Sequence, residues 1–96
     1  MRHGLDFEWD PPKAAENAAR HGVTFEEAAT VYNDEWALTV PDIVHSSRET
    51  REFTVGLSEA RRILAIAHTM RGNRIRIISA RVAEPRERRQ YVAEER

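Results

Sequence analysis

Residues 74–81 read Arg74-Ile75-Arg76-Ile77-Ile78-Ser79-Ala80-Arg81, and their pattern decides how the chain folds. Polar and apolar residues alternate from Arg74 to Ile77, the period of a strand with one buried face. The adjacent pair Ile77-Ile78 breaks the alternation, which fits either a bulge or a strand covered on both faces. On a regular strand Arg74 and Arg76 share one face and Arg81 takes the other. All three can serve one site only if a bulge or the strand's end shifts the phase. Guanidinium groups on a rigid strand suit phosphate, because they are always charged, offer a planar fork of donors and shed water readily. Lys13 is the only lysine among the 15 basic residues, and this bias toward arginine points the same way.

Working outward, Arg71-Gly72-Asn73 supplies a turn before this strand, and the β-rich runs Arg62–Met70 and Arg51–Leu57 flank Ser58-Glu59-Ala60, a length suited to a hairpin. Trp36–Val40 reads as a further strand, and 41–50 as a polar loop containing His45, Ser46, Ser47 and Arg48. Near the start, Leu5–Trp9 alternates and suits a short strand. Asp10 can cap a helix with Pro12 in its first turn, running Lys13–Arg20 and ended by His21-Gly22. Thr24 and Glu27 form a capping-box pattern for a second helix, Phe25–Tyr32, with Asn33-Asp34 as its stop. Glu84-Pro85 opens a final helix that brings Arg88, Tyr91 and Val92 together at spacings of three and four. The order β-α-α-β-β-β-β-α describes an α+β fold, with a mostly antiparallel sheet and helices packed on it. Residues 1–96 are expected to form a single domain with one modest core.

Composition narrows the function. With no cysteine, a disulfide framework, a thiolate metal site and a cysteine nucleophile are excluded. No apolar run reaches the roughly 18 residues of a membrane span, and the first residues lack a signal-peptide core, so a cytoplasmic location is expected. Net charge is −1, but its distribution is uneven. Residues 1–47 carry three basic and nine acidic side chains (3 − 9 = −6), and 48–96 carry twelve and seven (12 − 7 = +5). A basic face can attract a polyanion while the acidic remainder limits indiscriminate binding; equally, the two halves can intermix in the fold and cancel.

Cofactor chemistry finds no foothold. The four histidines are scattered without metal-ligand spacing, and glycine-rich phosphate loops, nucleotide fingerprints and nucleophile elbows are missing. No metal or cofactor is therefore expected. His21 suits a helix C-terminus, and His68 lies on a strand face with Leu64, Ile66 and Met70 and suits a satisfied, partly buried position. His45 stands apart, in a polar loop near serines and Arg48, where it can transfer a proton, contact phosphate, or make a loop hydrogen bond. The chemistry left is cleavage of RNA by its own 2′-hydroxyl. That reaction needs a base, cations on the pentacoordinate phosphate and an acid for the leaving 5′-oxygen. Loss of one well-placed donor costs about 3 kcal/mol of barrier stabilisation. Arginine is a poor acid or base, so His45, Tyr91 or Glu52 would move protons. Arg81 has an alternative fate in an ion pair with Glu84 or Glu87. Trp9 and Tyr91 can stack on a base or pack in a core.

Several motifs together resemble the BrnT family of toxins. They are Phe7-Glu8-Trp9-Asp10-Pro11, Lys13, Asn17, His21-Gly22-Val23, Phe25-Glu26-Glu27-Ala28, His45, Arg51, Arg76-Ile77-Ile78-Ser79-Ala80-Arg81, Glu87-Arg88 and Tyr91. The resemblance spans residues 5 to 91 and departs from the family at Ala60, in a turn where glycine is common. It implies a RelE-like fold and an endoribonuclease that blocks translation. It also implies a BrnA-type antitoxin with a ribbon-helix-helix domain, through which the complex would contact operator DNA. On this reading Arg51, Arg76 and Arg81 hold the scissile phosphate, Lys13 assists and His45 moves a proton. Trp9, Arg48, Arg74 and Tyr91 contact RNA. The rival reading is a non-catalytic RNA- or protein-binding module, the partner of a DNA-binding repressor.

Overall fold

Every element of the computed structural model, which describes residues 5–44 and 49–94, gathers around one sheet. The chain runs β1 (Asp6–Glu8), α1 (Pro11–His21), α2 (Phe25–Thr30), a 3₁₀ turn (Val31–Asn33), β2 (Leu38–Pro41), β3 (Arg51–Leu57), β4 (Ile63–Arg71), β5 (Arg74–Val82) and α3 (Pro85–Glu94). The five strands lie in the order β1-β5-β4-β3-β2, with β1 parallel to β5 and every other pair antiparallel. The α+β expectation with a mostly antiparallel sheet therefore holds.

Local chemistry sets most boundaries. Asp10, in extended conformation, accepts the Lys13 N–H with its carboxylate, Pro11 and Pro12 fill the first turn of α1, and Gly22 closes it at φ 68°. The Thr24 hydroxyl accepts the Glu27 N–H and so starts α2. The reciprocal half of the expected capping box does not form. The Glu27 carboxylate instead takes Arg62 and the Ser58 hydroxyl, both from the β3–β4 hairpin, a pairing invisible to local sequence.

Two further expectations are corrected. The second helix does not remain α-helical to Tyr32; it tightens to 3₁₀ geometry over Val31–Asn33 and ends where the Asp34 N–H meets the Val31 carbonyl. Trp36 is not in a strand. The Asp34 carboxylate accepts the Trp36 N–H and its carbonyl accepts that of Ala37, holding the chain in a turn until Leu38. In the β3–β4 turn the left-handed residue is Arg61, at φ 67°, so the position where glycine would help is one beyond Ala60.

The core lies on one face of the sheet. Val23, Phe25, Ala28, Val31 and Tyr32, from the α1–α2 connection, α2 and the 3₁₀ turn, pack against Leu64, Ile66, Ile75, Ile77 and Ala80. β3 passes close beneath the 3₁₀ turn at Gly56, where a Cβ would come within 2.8 Å of a Val31 methyl. α3 crosses the opposite face, over Phe53 and Val55. It is tied back by Asp34, whose carboxylate accepts both the Tyr91 hydroxyl and the Leu57 N–H.

β5 carries a bulge. Ala67 pairs with Ser79 and His68 with Ile77, which leaves Ile78 as the extra residue. Past the end of β1, the outer edge of β5 is closed by a side chain. Asn17 donates to the carbonyls of Ala80 and Val23 at 2.8 and 2.9 Å and accepts the Ala80 N–H at 3.1 Å. Asn17 thus acts as a strand partner one residue long, and it is buried. Asn17→Ala leaves one N–H and two carbonyls unpaired beside the core. It is expected to lower stability by about 3 kcal/mol, seen as a lower urea midpoint.

Candidate active site

The face of the sheet away from the core is a trough. Its floor is β4, where the small side chains Ala65, Ala67 and Thr69 are buried between longer neighbours. Arg51, Phe53 and Val55 of β3 stand opposite Thr69, Ala67 and Ala65, and on the β5 side Arg76 and Arg81 stand opposite Thr69 and Ala65. Arg51, Thr69, Arg76 and Glu8 therefore form one row across four strands. At about 4.8 Å per strand, the Arg51 and Arg76 backbones are roughly 10 Å apart, with only a threonine between them. Long side chains from both can reach over it.

The bulge at Ile78 shifts the phase of β5, so Arg81 emerges on the same face as Arg76 despite the odd spacing. It does not join the same row. Ala65 lies four residues along β4 from Thr69, about 13 Å away, and Arg81 there is occupied. Its two terminal nitrogens donate to the two oxygens of Glu87 at 2.8 and 2.9 Å. Those hydrogen bonds hold the Glu87 carboxyl below its usual range and raise the Arg81 guanidinium. Glu87 also accepts the Glu84 N–H, so the pair anchors the start of α3. A single phosphate gripped jointly by Arg51, Arg76 and Arg81 is thus not what this arrangement offers.

The other named residues divide similarly. Arg76 donates one N–H to Glu8 at 2.9 Å, and Arg74, more exposed, lies 3.7 Å from the other oxygen of that carboxylate. Glu8 lies beside Arg76 although it was assigned no role from sequence; its signal was alternation with Asp6 on a strand whose partner was unknown. Arg51 is half-buried on β3 and engaged with its surroundings. Lys13 is exposed on α1, beside the bulge and apart from the row. Trp9 packs edge-on against Phe25 with ring centres 5.8 Å apart, against the core. Tyr91 is buried, with its hydroxyl given to Asp34 at 2.7 Å, so it is unavailable for stacking on a base or moving a proton in the trough. His45 and Arg48 lie outside the described residues.

Beneath the trough, on the core side, a polar chain runs from the buried Tyr32 and His68 to the partly exposed Glu52. Tyr32 Oη lies 2.7 Å from His68 Nδ1, and His68 Nε2 lies 3.2 Å from Glu52 Oε1. An ionised Glu52 only accepts, so Nε2 carries the proton, Nδ1 accepts and the Tyr32 hydroxyl donates. Burial holds the His68 imidazole below its ordinary pKa, opposed by the nearby Glu52, and pushes the Tyr32 phenol up.

An α+β fold with an arginine-walled sheet face defines a class of small proteins, and comparison with known families resolves which. The chain belongs to the BrnT family, ribonuclease toxins of type II toxin-antitoxin systems, whose profile matches residues 9–87. In fold it is similar to the crystal structure of the Brucella abortus ribonuclease toxin BrnT, with a TM-score of 0.66 and 24% identity, covering 83% of this chain and 97% of that one. No curated protein matches the sequence. Membership in a type II system implies an antitoxin as partner. No helix among the described residues is long and apolar enough to cross a membrane.

The buried imidazole makes stability depend on pH. Its folded pKa is depressed, so the unfolded chain binds the proton more readily; stability is complete above about pH 6.5 and falls as the pH drops below that. Glu27, lowered chiefly by its hydrogen bond from Arg62, and Glu87, by that from Arg81, add a second loss below about pH 4.5. Urea midpoints measured from pH 8 to 4 should decline in these two stages, and His68→Gln should remove the first.

Proposed function

We propose that the protein is a metal-independent endoribonuclease that inhibits translation in the cytoplasm, with the Arg51–Thr69–Arg76 row as the seat of phosphate binding. The observation that carries this reading is the register that sets two guanidinium-bearing residues on either side of one small side chain, on the face of the sheet away from the core. Arg76 gives one of its five N–H groups to Glu8, which orients the guanidinium and leaves the rest to meet phosphate oxygens.

In the reaction, a base removes the 2′-hydroxyl proton and O2′ attacks the adjacent phosphorus. The bond to O5′ breaks, O5′ takes a proton, and the products are a 2′,3′-cyclic phosphate and a 5′-hydroxyl end. Guanidiniums preorganised on strands neutralise the charge that builds on the phosphorane, which is why no metal is needed. His45, which precedes β3 in the sequence, is the proposed proton-transfer group, and Lys13 adds positive charge from α1. Arg81 is proposed as a support for α3, with a secondary part in RNA contact along with Arg74, Arg48 and the edge of Trp9. The antitoxin is proposed to be of the BrnA type, with a ribbon-helix-helix domain that carries the complex to operator DNA.

A second reading has its own support. Arg76 and Arg81 both face carboxylates, as expected of cations that dock a partner without chemistry. Incubation of purified protein with RNA separates the two, since only the first yields new 5′-hydroxyl ends. Arg76→Ala should relieve growth arrest and slow cleavage by about 100-fold, roughly 3 kcal/mol, with an unchanged circular dichroism spectrum. An equally toxic, folded variant removes Arg76 from the site. A chelator should leave cleavage unchanged; inhibition reversed by added divalent metal would overturn metal independence.

A further inference from the structure

The trough does not account for a cleft on the other side of β5. β1 ends opposite Arg76, so beyond that row the outer edge of β5 has no strand partner and α1 lies alongside it. Asn17 occupies the edge at Ala80. Between these two points the bulge residues Ile78 and Ser79 form one wall of a cleft of about 220 Å³, and Lys13, Glu16, Asn17, Arg20 and His21 form the other. Those five recur at helical spacing and present one face of α1. Pockets for whole small molecules run from roughly 300 Å³ upward, so this cleft suits a single charged group.

Its cations differ from most of those along the sheet. Arg62, Arg71, Arg74, Arg76 and Arg81 are each within ion-pair distance of a carboxylate, whereas Lys13 and Arg20 form no ion pair among the described residues. Glu16 shares the cleft without closing on either. Arg20 and His21 in the last turn of α1 complement the helix dipole, which is reason enough for them to be there. Lys13 has no such reason. It sits in the first turn, where the dipole disfavours a cation and where the carboxylate that offsets it is the Asp10 cap. The chain's one lysine is thus placed at the end of the helix dipole that a cation gains nothing from, and beside the bulge.

We infer that this cleft is a second phosphate subsite, which receives a neighbouring phosphodiester of the RNA strand whose scissile phosphate lies at the Arg51–Arg76 row. The inference rests on the ribonuclease reading above. Ser79 is three residues from Arg76 on the same strand, about 10 Å at most, so one RNA chain can pass from trough to cleft around the edge of β5. Lys13 and Arg20 clamp the phosphate from α1. Apart from Ile78 the lining is polar or charged, which fits a phosphodiester better than an amphipathic protein segment.

The test compares Arg20→Gln with wild type on a dinucleotide and on an RNA of roughly 12 nucleotides, a length within the usual range of single-strand sites. The variant should raise KM for the longer RNA about fivefold to tenfold, leave its kcat unchanged, and leave dinucleotide cleavage untouched. Equal loss on both substrates, or on neither, overturns the subsite. A 2′-O-methylated oligonucleotide of the same length, which cannot be cleaved, gives an arm independent of catalysis. Its affinity should fall in Arg20→Gln, and the slope of log affinity against log salt should drop by about 0.7, the loss of one phosphate contact. If no RNA is cleaved at all, the ribonuclease reading fails and this arm alone judges the cleft: an unchanged affinity and slope overturn it. Polyglutamate binding as tightly as the oligonucleotide, with the same dependence on Arg20, would make the cleft a protein contact and overturn it too.

Discussion

One extra residue, Ile78, sets the phase of β5, and both faces of the sheet depend on it. Without the bulge, Ala80 and Arg81 would exchange sides. A guanidinium would enter the core against Val23 and Phe25, at a cost of several kcal/mol for an uncompensated buried charge. With it, Ala80 completes the core, Arg81 meets Glu87 beneath α3, and the outer edge of the strand arrives at Asn17. A chemically ordinary defect in alternation thereby fixes where the helices on opposite faces can dock.

Much of this was legible from local chemistry. β3 was bounded correctly and β5 began after the expected turn because alternation and flanking turn residues agreed, and α1 and α2 began where Asp10 and Thr24 could satisfy orphan N–H groups. Misreadings arose where a distant partner outbid a near one. Arg62, 35 residues further on, takes the carboxylate that would have closed the α2 capping box. Asp34 turns a segment whose apolar composition suggested a strand.

The site was legible as a set of residues and not as an arrangement. Arg51 and Arg76 could be named, but their position on either side of Thr69 follows from strand register, which no local pattern specifies. Glu8 was missed because its meaning depends on the parallel pairing of β1 with a strand 68 residues away. For Tyr91 both base stacking and core packing stayed open, because helical spacing shows which residues share a face, not which face is buried; the structure buries it. The charge asymmetry of the two halves is likewise partly undone in the fold, since Glu8 and Glu27 of the acidic half neutralise Arg76 and Arg62 of the basic one.

The tip of the β3–β4 hairpin shows how far the chain stands from its own optimum. Among the described residues Gly22 and Gly72 occupy two left-handed positions, but Arg61 holds a third and bears a steric penalty of about 1 to 2 kcal/mol for doing so. That sum is a sizeable part of the margin by which so small a protein stays folded. A glycine there would release that reserve without touching a core contact, a gain open to any fold that sits only a little above the stability it needs.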